Sequence, residues 1–196
     1  MPPRSRRPPR IRLRPLPAYP EIILALNMKM DETTLEGTPT FHWHIWVPDR
    51  DATRERLCAG TKMHALGRRS RNPDGTLTER WGYESTEFTL TTSHTVAVAA
   101  ILGHLPAGKT VVDLDQVLSE IPMSVPVVDQ GREREFTCRV WIREAMRRMH
   151  AHRYIHCPNV DALEAEMLRY GTEAYNNHAN TQCASLVSAV NSRAVE

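Results

Sequence analysis

Apolar and polar positions follow two different rhythms along this chain. Residues 21–30, EIILALNMKM, form an apolar run of strand length, and DETTLEGTPT after it has turn composition. FHWHIWV then alternates strictly, which predicts a strand with His42, His44 and Trp46 on one face and Trp43, Ile45 and Val47 on the other. Pro48 and DRD close it. TKMHAL at 61–66 predicts a second short strand, and RWGYESTEFTL at 80–90 a third. The long turn between them has Asn72-Pro73-Asp74-Gly75 at its tip. The rhythm then turns helical. Ser93 caps HTVAVAAILGH, which stops near Gly103, and DLDQVLSEI is a shorter helix. From Cys138 to His150 the apolar residues are Cys138, Trp141, Ile142, Ala145, Met146 and Met149, the stripe of a buried helix. A last helix starts at Asp161, which forms a capping-box pattern with Glu164. Strands followed by helices predict an α+β fold, an antiparallel sheet packed on helices.

Composition places the boundaries. The 196 residues, 41% of them apolar, suffice for one domain with a core. No apolar run approaches the ~18 residues of a membrane span, and the N-terminus lacks the apolar segment of a secretory signal. The net charge of +2 hides an asymmetry. Residues 1–20 hold six arginines and no acid, leaving 19 basic against 23 acidic residues in the rest. The reading is therefore a disordered Arg/Pro-rich tail over 1–20, one α+β domain over 21–180 and a C-terminal tail over 181–196. Interleaved prolines favour an extended arm over an amphipathic helix. Such an arm suits nucleic acid, an anionic membrane or an acidic protein. Cys58, Cys138, Cys157 and Cys183 include no C-x-x-C pair, so reduced thiols and a cytoplasmic location are expected.

Candidate chemistry gathers at three places. Cys138 opens the apolar helix behind Thr137, where unpaired N–H groups and the helix dipole favour a thiolate. Arg134 and Arg139 would act the same way. Two histidines on one strand face are costly to bury without partners, so His42 and His44 are expected to border a cleft. In an antiparallel pairing His64 shares that face. One imidazole then serves as base toward Cys138 while the other orients the base or the substrate. His44, Trp46 and Arg139 are the candidate substrate contacts. Two further patterns are set aside. HAHRYIHC holds His150, His152, His156 and Cys157, but the faces diverge and Pro158 constrains the cysteine, so no metal site is expected. GHLPAGKT at 103–110 meets the phosphate-loop pattern but follows an expected helix rather than a strand, so neither nucleotide nor any other cofactor is expected.

The order HWHIWV, then KMHAL, then TCRVW resembles that of the circularly permuted papain-like enzymes, the NlpC-type and lecithin retinol acyltransferase-like group. The resemblance implies a permuted papain-like fold with His42 as base, His64 as second histidine and Cys138 as nucleophile. It spans about residues 40–155. It departs at Thr137, where the acyltransferases carry Asn, at His44, where they carry a small or apolar residue, and in a longer insertion between the histidine strands. The strand around Trp81, Gly82 and Tyr83 and the Cys138-Arg139-Val140-Trp141 helix start also resemble small fungal proteins, some from secondary-metabolite clusters. Fungal synthases of arginine-containing cyclodipeptides are a more distant likeness. The expected function is a cysteine-dependent acyl or aminoacyl transferase or hydrolase acting on an ester, thioester or amide carbonyl. A small acyl or aminoacyl substrate is expected, with a tRNA contact through the arginine-rich tail. The competing readings are a tRNA-dependent cyclodipeptide synthase and a non-catalytic binding module of the same fold.

Overall fold

A computed structural model describes residues 13–33, 39–51, 59–177 and 184–195. The strands are β1 (Leu13–Arg14), β2 (Glu21–Thr33), β3 (Pro39–Pro48), β4 (Gly60–Arg71), β5 (Leu77–Phe88), β6 (Val96–His104) and β7 (Ala184–Ser188). They form one sheet in the order β1-β7-β6-β2-β3-β4-β5. The helices are α1 (Val111–Ser119), α2 (Cys138–Ala151) and α3 (Val160–Asn177). The α+β class stands. The sheet is mixed rather than wholly antiparallel, because β7 pairs in parallel with both β1 and β6.

The helices cover one sheet face. All six stripe residues of α2 are buried in one cluster with Phe41, Trp43, Ile45, Met63 and Ala65. Each large side chain buried there contributes roughly 1.5–3 kcal/mol. Helix α3 lies close because residue 171 is glycine: a Cβ there would sit 2.9 Å from Leu26 Cδ1 and 3.0 Å from Phe41 Cζ. A smaller cluster fills part of the opposite face. Leu13, Ile23, Ala25, Trp46, Leu90, Val96, Ala99 and Leu186 meet there.

Several sequence expectations need correction. The run expected as a helix from Ser93 is strand β6, preceded by a short 3-10 turn at Leu90–Thr92. A central strand buried on both faces has no alternation, so its continuous apolar run reads like a buried helix. The expected tails are also too long. Leu13 and Arg14 pair with Ala184 and Ser185, so both ends of the described chain enter the sheet. The Arg-rich residues 1–12, Cys58 and Cys183 lie outside the described residues. The β4–β5 hairpin extends to Arg71 and Leu77, leaving only the tip around Asn72–Thr76 as turn. Helix α3 begins one residue early. The Asn159 side chain accepts from Ala162 N at 3.0 Å, and the Asp161 carboxylate binds Arg132 and Arg143 instead of capping.

Candidate functional site

Strand alternation divides the site residues between the sheet faces. Phe41, Trp43, Ile45 and Val47 pack with the helices, so His42, His44 and Trp46 point the other way. On β4, Met63 and Ala65 face the helices and His64 the opposite side. Glu84 of β5 stands directly across from His64 in the ladder. The β3–β4 ladder runs from Pro48–Gly60 only to Ile45–Met63, after which β3 follows β2 and β4 follows β5. The strands thus part, and the histidines bridge the gap. His42 Nε2 lies 2.7 Å from His64 Nδ1, with ring centroids 4.8 Å apart at 83°. His64 Nε2 lies 3.6 Å from Glu84 Oε1, too far for a closed hydrogen bond, and has no other hydrogen-bond partner among the described residues. Arg68 holds the other Glu84 oxygen at 2.9 Å. The row reads carboxylate, imidazole, imidazole, with half-buried His42 at its open end.

His44 stands beside this row. Its ring runs within 24° of parallel to His42 at 6.3 Å and meets Phe88 edge-on at 5.8 Å. The side chain is fully buried, and neither ring nitrogen has a hydrogen-bond partner. Asn27 gives its Nδ2 to Thr95 at 2.7 Å and leaves Oδ1 unpaired. Burial lowers the histidine pKa values, and the Lys62 charge adds to the effect. His42 falls to about 3 and His64 to about 4, while His44 lies well below the usual imidazole range. All three are neutral at neutral pH. Burial also lowers Lys62, whose Nζ lies 5.0 Å over the Phe88 ring.

Cys138 approaches the gap from the helix side. Thr137 caps α2, its hydroxyl accepting from Val140 N at 3.3 Å. The thiol is buried and donates to the Phe41 carbonyl at 3.9 Å. No hydrogen bond joins it to an imidazole. Burial pushes its pKa up, outweighing nearby backbone N–H groups, so the expected activation by the helix start is absent. Arg139 is held by Glu133 and Glu164, and Arg134 lies exposed on the surface. Trp46 is a packing residue, fully buried, with its Nε1–H on the Phe88 carbonyl at 2.9 Å. The structure therefore unites His42 and His64, adds Glu84, and sets Cys138, Trp46 and Arg139 apart from them.

Residues 20–186 match the model of a family of unknown function, DUF6914. The chain belongs to this family. No curated protein and no solved structure matches it. The family match does not point to papain-like, NlpC-type or acyltransferase relatives, so that likeness rests on residue order alone.

The two patterns set aside by sequence end differently from their arguments. GHLPAGKT does stand between a strand and a helix, because β6 ends at His104 and Thr110 caps α1. Yet the helix start is filled by the chain itself. Asp113 accepts from Thr110 N at 2.8 Å and draws Lys109 Nζ to 3.8 Å, occupying the place an anion would take. In HAHRYIHC, His150 Nδ1 accepts from Cys157 N at 3.3 Å, and burial pushes the Cys157 thiol up to about 11. Among the described residues no group of three or more His, Cys, Asp or Glu side chains is placed to hold a metal.

Proposed function

We propose that this protein is a hydrolase or transferase acting on an activated carbonyl, an ester, thioester or amide, with the His42–His64–Glu84 row as its reaction centre. The observation that carries this reading is the 2.7 Å contact between His42 Nε2 and His64 Nδ1, backed by the Glu84 carboxylate. With His64 Nε2–H turned to Glu84, His64 Nδ1 accepts from His42 Nε2–H. His42 Nδ1 then keeps its lone pair for a proton from the attacking group. That group is water or an amine. Its oxygen or nitrogen bonds to the carbonyl carbon while its proton passes to His42, and the same proton later leaves with the departing alcohol, thiol or amine. Cys138 has no part in this step, because its thiol is buried and protonated. The reading keeps the histidines behind the papain-like likeness and gives up the cysteine. An aminoacyl ester remains a candidate donor, and contact of residues 1–12 with tRNA belongs to the same proposal.

Hydrolysis of 4-nitrophenyl esters and acyl thioesters by the purified chain tests it. His42→Gln is expected to lower kcat/KM by about 10²–10⁴, and Cys138→Ala to leave it within about twofold. Equal loss from both substitutions would restore the cysteine nucleophile. Turnover indifferent to His42 would leave the binding-module reading.

A further inference from the structure

The β4–β5 hairpin continues past the histidines, and the face carrying His64 and Glu84 has a notch in it. The next pair along that face is Leu66 opposite Gly82. A Cβ on Gly82 would meet nothing within 4 Å, so the missing side chain leaves open space beside Leu66. The following pair is Arg68 opposite Arg80. Like charges directly opposite each other destabilise a ladder. Arg68 turns back to Glu84, while Arg80 has no ion-pair partner among the described residues. Ser70 follows. Leu66, Arg68, Ser70, Arg80, Gly82 and Glu84 line a cavity of about 400 Å³, floored by the strand backbone at Trp81 and Tyr83, whose rings turn to the helix face. It thus joins the carboxylate of the reaction centre to an uncompensated guanidinium. His64 and Arg68 are four steps apart along the strand, a span of ~13 Å.

We infer that this cavity is a subsite for an anionic group, a carboxylate or a phosphate, on a substrate whose reacting carbonyl lies at His42. Arg80 is its anchor, Arg68 and the Ser70 hydroxyl add donors, and Leu66 supports the apolar chain between the two ends. A guanidinium matches either anion through paired N–H donors. The inference rests on the reaction-centre reading for the location of the carbonyl, but the anion site itself can be measured without turnover.

The full chain is titrated with glutarate and, separately, with inorganic phosphate. Binding is read by isothermal titration calorimetry. Saturable binding of at least one anion is expected, and the tighter of the two identifies the class. Arg80→Gln and Gly82→Leu should each weaken it by about tenfold or more. The exposed Arg80 side chain and the open space at Gly82 make both variants compatible with folding. In a kinetic arm, kcat/KM for 4-nitrophenyl hemiglutarate is divided by that for the neutral valerate ester, and Arg80→Gln should lower the ratio about tenfold. No saturable binding, or variants that bind like the wild type, overturns the subsite. Ester turnover indifferent to His42, with anion binding intact, overturns only the reaction-centre reading.

Discussion

The imidazole row is governed by burial and by one cation. Burial is the larger cause of the lowered pKa values of His42, His44 and His64, and Lys62 adds to all three. Lys62→Met removes the charge and keeps the chain length. The three imidazoles should then titrate at higher pH, still below the ordinary ~6.5 because burial persists. Imidazole NMR titration reads this directly, and unchanged midpoints would show that Lys62 does not act on the row. The same shifts set a stability window. Unfolded imidazoles bind protons below ~6.5, whereas folded His42 and His64 do so only near 3 and 4. Between those limits the unfolded state holds more protons, so stability should fall as the pH drops from 6.5 toward 4. Melting temperatures across that range check the sign. The row itself was partly legible in the sequence. Alternation put His42 and His44 on one face, and a hairpin reading placed His64 with them. Glu84 was also within reach: His64 and Glu84 each lie ten residues from Asp74, at the centre of the turn. Extending the strands to the NPDG tip would have paired them. The place of Cys138 was not legible, because the apolar stripe that identifies α2 says nothing about which sheet face the helix covers.

Between elements, helices α2 and α3 are joined by charges buried on the apolar side of neither sequence pattern. Arg143 is almost fully buried and binds Asp129, Asp161 and Glu164. Arg147 adds two bonds to Asp129 at 2.8 Å, and Arg139 and Arg132 reach Glu164 from the rim. Removing Arg143 takes the central cation from both buried carboxylates and leaves Asp129 to Arg147 and Glu164 to Arg139 and Arg132. Arg143→Met is therefore expected to cost about 1.5–3 kcal/mol, the loss of charged hydrogen bonds rather than of the whole compensation, read as a lower urea midpoint at unchanged slope. A loss below ~1 kcal/mol would mean that Arg147, Arg139 and Arg132 suffice for Asp129 and Glu164. The pH sign runs the same way as for the histidines. Burial alone would raise Asp129, but hydrogen bonds from Arg147 and Arg143 hold it below its usual value. Its contribution is present above the ordinary carboxylate pKa and lost as the pH falls through the depressed one. None of this network was visible beforehand. Arg143 and Arg147 are spaced like a solvated helix face, and only the packing of α3 and the 3-10 turn at Val127–Asp129 turns that face inward. The same limit explains β6: its apolar run is set by neighbours on both faces, not by its own periodicity.

At the scale of the molecule, β7 connects the two ends of the described chain. It lies between β6 and β1, pairing Val98 with Ser185 and Ile101 with Ser188 on one side and Leu13 with Ala184 on the other. Beyond it the chain is fixed to the helical layer. Glu166 of α3 accepts from Val190 N at 2.8 Å and Asn191 N at 3.0 Å, and Ser192 Oγ donates to the Leu102 carbonyl at 2.8 Å. Gly103 lets this segment pass close, since a Cβ there would sit 3.1 Å from the Arg193 carbonyl oxygen. Truncation after Asn177 would therefore remove more than a terminal strand. β1 would lose its sheet partner, β6 would become an edge with unpaired N–H and C=O groups, and Leu186 would leave the smaller core cluster. Hydrogen exchange should quicken at Val98–Ile101 and at Leu13–Arg14, with a lowered melting temperature and greater self-association. The histidine row should keep its exchange pattern, because β3, β4 and β5 lie on the far side of β2. Glu166→Ala gives a milder form of the same test: it removes the anchor and keeps the strand, so faster exchange should begin at Val190–Asn191 and reach β6 only weakly. Exchange at β6 unchanged by the truncation would show that β7 is laid on a sheet already complete without it.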